Sequence, residues 1–310
     1  MPSYRLVLWL VAFVGIGVVG GCLTSQQPSS SPSQEQNASS SPQEQNTYVG
    51  SEVCVACHEA MGDNVRTTPH GKLLQQPSPD PAVPWGCESC HGPGSAHVAG
   101  GGGKGVGGLM TFRTESAQAR TEVCLTCHQK EMGKFQFRRS EHKLAGVACN
   151  DCHAPHFPAA PVHLLRQKTP DLCFSCHREV RSAFALPVHH KVLEGAVQCT
   201  DCHTPHGSLS RFSLRGVQNE TCTRCHIEKG GPFAFEHLAS RIEGCTSCHV
   251  PHGSPNTFLL KRWEERVLCL ECHSNAPLFH NQAPGAFYQG ACTRCHTEIH
   301  GSNFDRFFFR

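Results

Sequence analysis

The apolar positions of this chain are unevenly spread. Residues 6–19 (Leu-Val-Leu-Trp-Leu-Val-Ala-Phe-Val-Gly-Ile-Gly-Val-Val) carry no charge and follow the lone Arg5. A helix needs about 20 such residues to span a bilayer. The run is shorter than that, so residues 1–21 read as a cleaved export signal, with an uncleaved anchor as the alternative. The pattern then inverts. Of the 24 residues from 24 to 47, 17 are Ser, Gln or Pro. That composition cannot bury enough apolar surface to fold. As a flexible coil it reaches roughly 25–30 Å and reads as a tether. Past residue 48 no apolar run of about 18–20 residues recurs, which argues against a transmembrane bundle. Gly and Pro interrupt the chain repeatedly, predicting short helices, irregular loops and little or no sheet.

Composition explains why so little regular structure is expected. Hydrophobic residues make up 38% of the 310, but 21 residues are cysteine and 22 are histidine. Without the 20 cysteines that lie in repeated motifs, roughly 31% of the chain is apolar. That is thin for two ordinary cores when apolar burial drives folding. An ordinary α/β enzyme is a poor fit, and something other than side chains has to fill the interior. The net charge of +2 gives no case for nucleic-acid binding.

From residue 54 onward every cysteine falls in C-x-x-C-H. The ten motifs are Cys54/Cys57/His58, Cys87/Cys90/His91, Cys124/Cys127/His128, Cys149/Cys152/His153, Cys173/Cys176/His177, Cys199/Cys202/His203, Cys222/Cys225/His226, Cys245/Cys248/His249, Cys269/Cys272/His273 and Cys292/Cys295/His296. This is the attachment signature of c-type haem. Two thiols add across the haem vinyl groups, one short helical turn presents both sulfurs, and the adjacent histidine takes the iron as proximal ligand. Zinc ribbons and redox dithiols share the cysteine spacing, and export permits disulfides. None of these calls for a histidine after the second cysteine ten times in ten. The motifs predict ten covalent haems, with short helices at the attachment points.

Twelve histidines remain: His70, His97, His142, His156, His163, His189, His190, His206, His237, His252, His280 and His300. Past the signal the methionines are only Met61, Met110 and Met132, so bis-histidine iron is expected throughout, and with it a low-potential set. Motif starts at 124, 173, 222 and 269 are spaced by 49, 49 and 47 residues, an internal repeat. The units are 51–97, 121–157, 170–207, 219–253 and 265–301, each with a motif, a middle histidine, a second motif and a trailing histidine. The middle set is His70, His142, His189 or His190, His237 and His280. The trailing set is His97, His156, His206, His252 and His300. These are the expected distal ligands, and His163 is a surface or supporting residue. In the Cys-His-x-Pro-His blocks ending at His156, His206 and His252 the trailing histidine lies three positions after the proximal one. It cannot readily reach the far side of the same iron. The simplest expectation sends it to the first haem of its unit and the middle histidine to the second.

Cys22 lies outside the motifs, in Val19-Gly20-Gly21-Cys22. The tetrapeptide resembles the bacterial lipobox, which makes Cys22 a lipidation site, residues 22–48 an anchored tether and residues 49–310 the cytochrome domain. Gly100 to Gly108 form a glycine cluster that lacks the Ser or Thr of a P-loop and reads as a flexible loop. The last residues, Phe304-Asp305-Arg306-Phe307-Phe308-Phe309-Arg310, are expected to pack on the last haem, with docking into a partner as the alternative. Ten propionate pairs set against ten ferric centres bring the mature holo-protein to a formal charge of about −9, so the neutrality of the polypeptide is misleading.

Five diheme units over 51–301, with Thr68-Pro69-His70-Gly71-Lys72, Ser89-Cys90-His91-Gly92-Pro93-Gly94-Ser95-Ala96-His97 and the three Cys-His-x-Pro-His blocks, resemble decahaem c-type cytochromes of the MtrA/DmsE family. The resemblance implies an elongated array of five diheme repeats. It implies a haem wire threading an outer-membrane β-barrel porin, with other multihaem cytochromes as donors and acceptors on the periplasmic and outer sides. It implies an electron carrier rather than an enzyme. The lipobox departs from that family's plain signals and leaves open whether the chain sits inside a barrel or beside one. Two other classes compete: an extracellular or filament-forming cytochrome, and a multihaem reductase with an open iron. The reductase is disfavoured by the ample histidines and by the lack of a C-x-x-C-K motif.

Overall fold

The computed structural model describes residues 45–78, 85–130, 136–276, 280 and 290–310. The expected signal 1–21, Cys22, Met132 and most of the tether lie outside them. Residues from Asn46 onward belong to one contact-defined unit. Asn46 is already fixed, its amide nitrogen donating to Pro93 O (2.7 Å) and its Oδ1 accepting from Ala96 N (2.9 Å).

Regular elements are short, as the Gly and Pro pattern requires. The longest helix among the described residues is Ala117–His128, twelve residues. Ser116 caps it by accepting from Ala119 N, and it carries the Cys124 motif. The same device places two of the middle histidines. Thr68 caps Pro69–Leu74, which holds His70. Ser140 caps Glu141–Leu144, which holds His142. Both caps are buried. A side-chain oxygen there satisfies an N–H that the helix start leaves without a partner. Two of the second motifs of a unit cap themselves: Asp151 accepts from Ala148 N and Asp201 from Gln198 N, each at 2.7 Å.

Sheet is confined to two antiparallel two-residue pairs among the described residues. Val188–His189 pairs with Gly253–Ser254, and Phe235–Glu236 with Gly301–Ser302. Each tie joins segments 60 residues or more apart, so the sheets act as staples between successive units. Further polar ties hold the two motifs of a unit together. Ser51 Oγ accepts from Cys87 N, Arg120 reaches Asn150 and Asp151, Asn219 Oδ1 accepts from Cys245 N, and Glu265 takes both the N–H and the hydroxyl of Thr293.

The polypeptide's own apolar core is small, as the composition predicts. Among the described residues the buried hydrophobics are Leu125, Phe137, Ala148, Leu164, Phe174, Phe184 and Val192. Only Phe174, Phe184 and Val192 form a cluster, edged by Val180, Val197 and Cys199. Buried polar groups carry much of the remaining order. Glu88, 4% exposed, accepts from Val49 N, Gly50 N and Gly94 N at 2.8–3.2 Å. Removing it leaves three N–H groups poorly satisfied. Glu88→Ala is expected to cost the first unit about 2–4 kcal/mol, read as faster hydrogen exchange at Val49, Gly50 and Gly94, with Glu88→Gln recovering part of the loss.

Candidate haem-binding sites

Each motif closes in one tight turn. The histidine N–H donates back to the carbonyl of the first cysteine, at 2.9 Å for His58, His153, His177 and His203 and at 3.0–3.1 Å for His91, His226, His249, His273 and His296. His128 completes the same turn at the end of helix Ala117–His128. An i to i+4 turn sets the sulfurs and the imidazole side by side, the arrangement that thioether attachment with a proximal ligand requires.

The two attachment cysteines of a motif, which the sequence treats alike, differ in burial. Every first cysteine is half-buried, whereas Cys57, Cys90, Cys127, Cys176, Cys225, Cys272 and Cys295 are exposed at the second place. Burial still pushes the Cys90 thiol above its ordinary value, so exposure of the residue there does not extend to its sulfur. Cys152, Cys202 and Cys248 are the half-buried exceptions. The returning chain crosses them there, with the N–H groups of Arg166, Arg215 and Lys261 donating to their carbonyls at 2.9 Å. Cys57, Cys272 and Cys295 keep the motif turn, each N–H donating to the first cysteine's carbonyl at 3.2–3.3 Å. Exposure leaves such a thiol accessible to a haem vinyl group.

Every proximal histidine faces one further histidine. The pairs are His58–His97, His128–His70, His91–His156, His177–His142, His153–His206, His226–His190, His203–His252, His273–His237, His249–His300 and His296–His280, with ring centroids 5.9–6.5 Å apart. A metal–imidazole bond is about 2.0–2.1 Å, and about 1.1 Å more separates nitrogen from ring centre, so one metal between two imidazoles needs about 6.2–6.4 Å. The spacing therefore fits a single iron at each of the ten places.

The pairing differs from the expectation of units closed on themselves. That expectation holds only at the ends, where His97 faces His58 and His280 faces His296. Elsewhere the middle histidine reaches forward to the first motif of the next unit: His70 to His128, His142 to His177, His190 to His226, His237 to His273. The trailing histidine reaches back to the second motif of the preceding unit: His156 to His91, His206 to His153, His252 to His203, His300 to His249. The reason lies in what the middle histidines dock against. His142 Nδ1 donates to Pro205 O (2.9 Å) and His190 Nδ1 to Pro251 O (2.6 Å). His237 donates to the Ile299 carbonyl. Each acceptor immediately precedes the next unit's trailing histidine, so the forward and backward reaches cross.

Of the adjacent pair of histidines, His190 is the one whose ring faces a proximal histidine, His226. His189 instead turns to Leu186 O (2.5 Å) through Nδ1 and to Glu194 (3.1 Å) through Nε2. Its backbone belongs to the strand pair with Gly253. His163 faces no proximal ring, but its carbonyl accepts from His153 Nδ1 at 2.7 Å. Sequence reasoning missed this class of residue. Phe212 O serves His203 (2.9 Å) and Phe258 O serves His249 (2.7 Å) in the same way. The available signal was a recurring His/Phe-x-Leu-Arg/Lys at 163–166, 212–215 and 258–261. At the ends, His97 donates to Val106 O (3.0 Å) and His296 to Phe307 O (2.6 Å). The glycine cluster and the aromatic tail thus hold the terminal sites. Phe309 also stacks on His296 with centroids 4.9 Å apart.

Burial, then the neighbouring proximal ring, holds His156, His237 and His252 below the usual histidine range, and burial with Lys229 nearby brings His300 down to about 4. Neutral imidazole is the form that ligates metal. The cysteines show how the motifs follow one another. Within units, the first cysteines lie close enough to shift one another's thiols: Cys54 with Cys87, Cys124 with Cys149, Cys173 with Cys199, Cys222 with Cys245 and Cys269 with Cys292. Between units, Cys90 lies in electrostatic range of Cys127, Cys152 of Cys176, Cys202 of Cys225 and Cys248 of Cys269. Each motif thus neighbours the next in chain order, without a gap.

Comparison with known proteins agrees with this geometry. The family model for the doubled CXXCH motif matches residues 142–182, 189–231 and 237–277, and the model for cytochrome c554 and c-prime matches 23–92 and 109–154. Multiheme cytochrome MtrA of Shewanella baltica is 35% identical over 82% of this chain and 79% of its own. The chain belongs to the MtrA family of multihaem cytochromes. It carries covalently bound c-type haem and works in electron transfer. The cytochrome is also 27% identical to the c-type protein NrfB of Escherichia coli over 42% of its length and 66% of the relative's. It is 29% identical to the polyheme cytochrome OmcB of Geobacter sulfurreducens over 34% of its length and 14% of the relative's. Each doubled-motif window begins at or beside a middle histidine and ends just past the proximal histidine that it faces.

The pairing predicts different outcomes for the two adjacent histidines. His190→Ala is expected to leave one iron five-coordinate, giving a high-spin signal and CO binding by the reduced protein. His189→Ala is expected to keep all sites low-spin.

Proposed function

We propose that the cytochrome carries ten haems, one per C-x-x-C-H motif, and conducts electrons from periplasmic or quinol-linked donors to an acceptor at or beyond the outer membrane. The observation that carries this reading is the unbroken neighbour order of the motifs, from Cys54 with Cys87 to Cys269 with Cys292. Haem iron, when bound, supplies reversible one-electron chemistry. The chain supplies the rest. Twenty cysteines would fix the groups, the proximal and distal histidines would ligate the iron, and backbone carbonyls hold the rings in register. A carrier rather than a reductase is supported by the second histidine facing each of the ten proximal ones, which leaves no open side for a substrate.

His97, His70, His156, His142, His206, His190, His252, His237, His300 and His280 are the distal ligands in this reading. Residues 1–21 direct export, and Cys22 takes a lipid that anchors the tether, residues 22–48, to a membrane surface. Partners are an outer-membrane β-barrel porin and other multihaem cytochromes, supported by the relationship to MtrA. No helix among the described residues is long and apolar enough to cross a membrane.

Two measurements test the reading. Haem quantification against protein mass is expected to return ten per chain, and a lower number would overturn the assignment of every motif. In liposomes containing the cytochrome and a candidate porin, an enclosed acceptor is expected to be reduced by an external donor. With the porin omitted, reduction should cease. The absence of transmembrane reduction with any porin partner would overturn the conduit.

A further inference from the structure

Three of the second motifs of a unit share a backbone feature that their side chains do not explain. His163 and Leu164, Phe212 and Ser213, and Phe258 and Leu259 are successive residues with φ between 51° and 64°. Non-glycine residues seldom adopt this left-handed conformation, least of all bulky ones and two in a row. The side chains vary between His and Phe at the first place and between Leu and Ser at the second. Two of the rings project into solvent, Phe212 being 65% and Phe258 80% exposed. What recurs is the direction of two consecutive carbonyls. The first accepts from Nδ1 of His153, His203 or His249. The second accepts from the next backbone N–H, of Ala154, Thr204 or Val250, at 2.7 Å in all three. Just beyond each pair, the N–H groups of Arg166, Arg215 and Lys261 close the arch onto Cys152, Cys202 and Cys248.

We propose that these left-handed pairs are positioning elements that tune the iron potentials at His153, His203 and His249, a reading that rests on those histidines being iron ligands. A carbonyl accepting from Nδ1 fixes the tautomer, leaves Nε2 as the donor atom and raises its basicity. A stronger imidazole donor favours ferric iron, and hydrogen bonding around the ligand is a lever on potential. His91 and His296 donate through Nδ1 to Met110 O and Phe307 O as well (2.6 Å each). The arch is thus one way of aiming this carbonyl, and it lowers the potential at the second site of the three internal units relative to the same site with the bond lost. The backbone angle, not the aromatic ring, carries the effect.

The test uses the full-length holo-cytochrome with Phe212→Gly, Phe212→Asn and Phe212→Val. Glycine and asparagine accept φ above zero, and β-branched valine resists it. The unsubstituted protein is measured first: without low-spin bis-imidazole signals the ligation reading itself fails, whatever the variants do. Given those signals, spectroelectrochemical titration of Phe212→Val is expected to show one midpoint moved upward with low-spin iron retained. Phe212→Gly and Phe212→Asn are expected to titrate like the parent. If valine titrates like the parent, or if glycine and asparagine shift as far as valine, the proposal is overturned, because the ring or nothing at all would then be responsible. Where valine at 212 prevents haem loading, the same series at Phe258 decides.

Discussion

Each C-x-x-C-H histidine faces a second imidazole across a gap of the right width for one metal, and the motif itself has no second histidine within easy reach. A histidine three positions later sits beside the first, not across from it. The protein answers by borrowing between units. His142 and His190 reach forward, His206 and His252 reach back, and the crossing point is the x-Pro-His turn whose proline carbonyl receives the incoming ring. Internal units therefore depend on both neighbours for complete sites. The two-residue sheets follow the same logic, since Val188–His189 and Gly253–Ser254 belong to units that also exchange histidines.

This interdependence compensates for a polypeptide that buries little of itself. The seven buried apolar residues among those described cannot hold together a chain of this length. The ordering falls to polar ties between motifs, such as Glu265 on Thr293 and Arg120 on Asp151, and to the covalent cofactor. The local rules of short capped helices and backbone carbonyl clamps serve to aim ligands, not to build a core.

Much of this was readable in the sequence. The motifs, the supply of histidines, the scarcity of sheet and the sorting of histidines into middle and trailing sets all follow from spacing and residue type. Direction was not readable. A middle histidine lies between two motifs of its own unit, and counting residues cannot reveal that His142 passes over His153 to meet His177. The choice between His189 and His190 depends on a strand pair with Gly253 and on Glu194, both set by tertiary contact. Nor does the motif say that Cys57, Cys272 and Cys295 stand exposed while Cys152 is half-covered, because the covering chain comes from a later segment. The carbonyl acceptors were hidden for a different reason. Phe212 and Phe258 act through main-chain atoms, in a conformation that phenylalanine does not announce.

The reciprocal exchange of histidines also bears on how such a chain can change length. An additional unit placed between two internal ones would take its missing ligands from its neighbours and lend them its own, with no new sequence invention. Only the termini need special solutions, and the chain has them in the glycine-rich loop that holds His97 and the aromatic tail that holds His296. Duplication in the middle and fixed closures at the ends are the grammar of a modular polymer, in which the span of the molecule can evolve independently of the chemistry at any one iron.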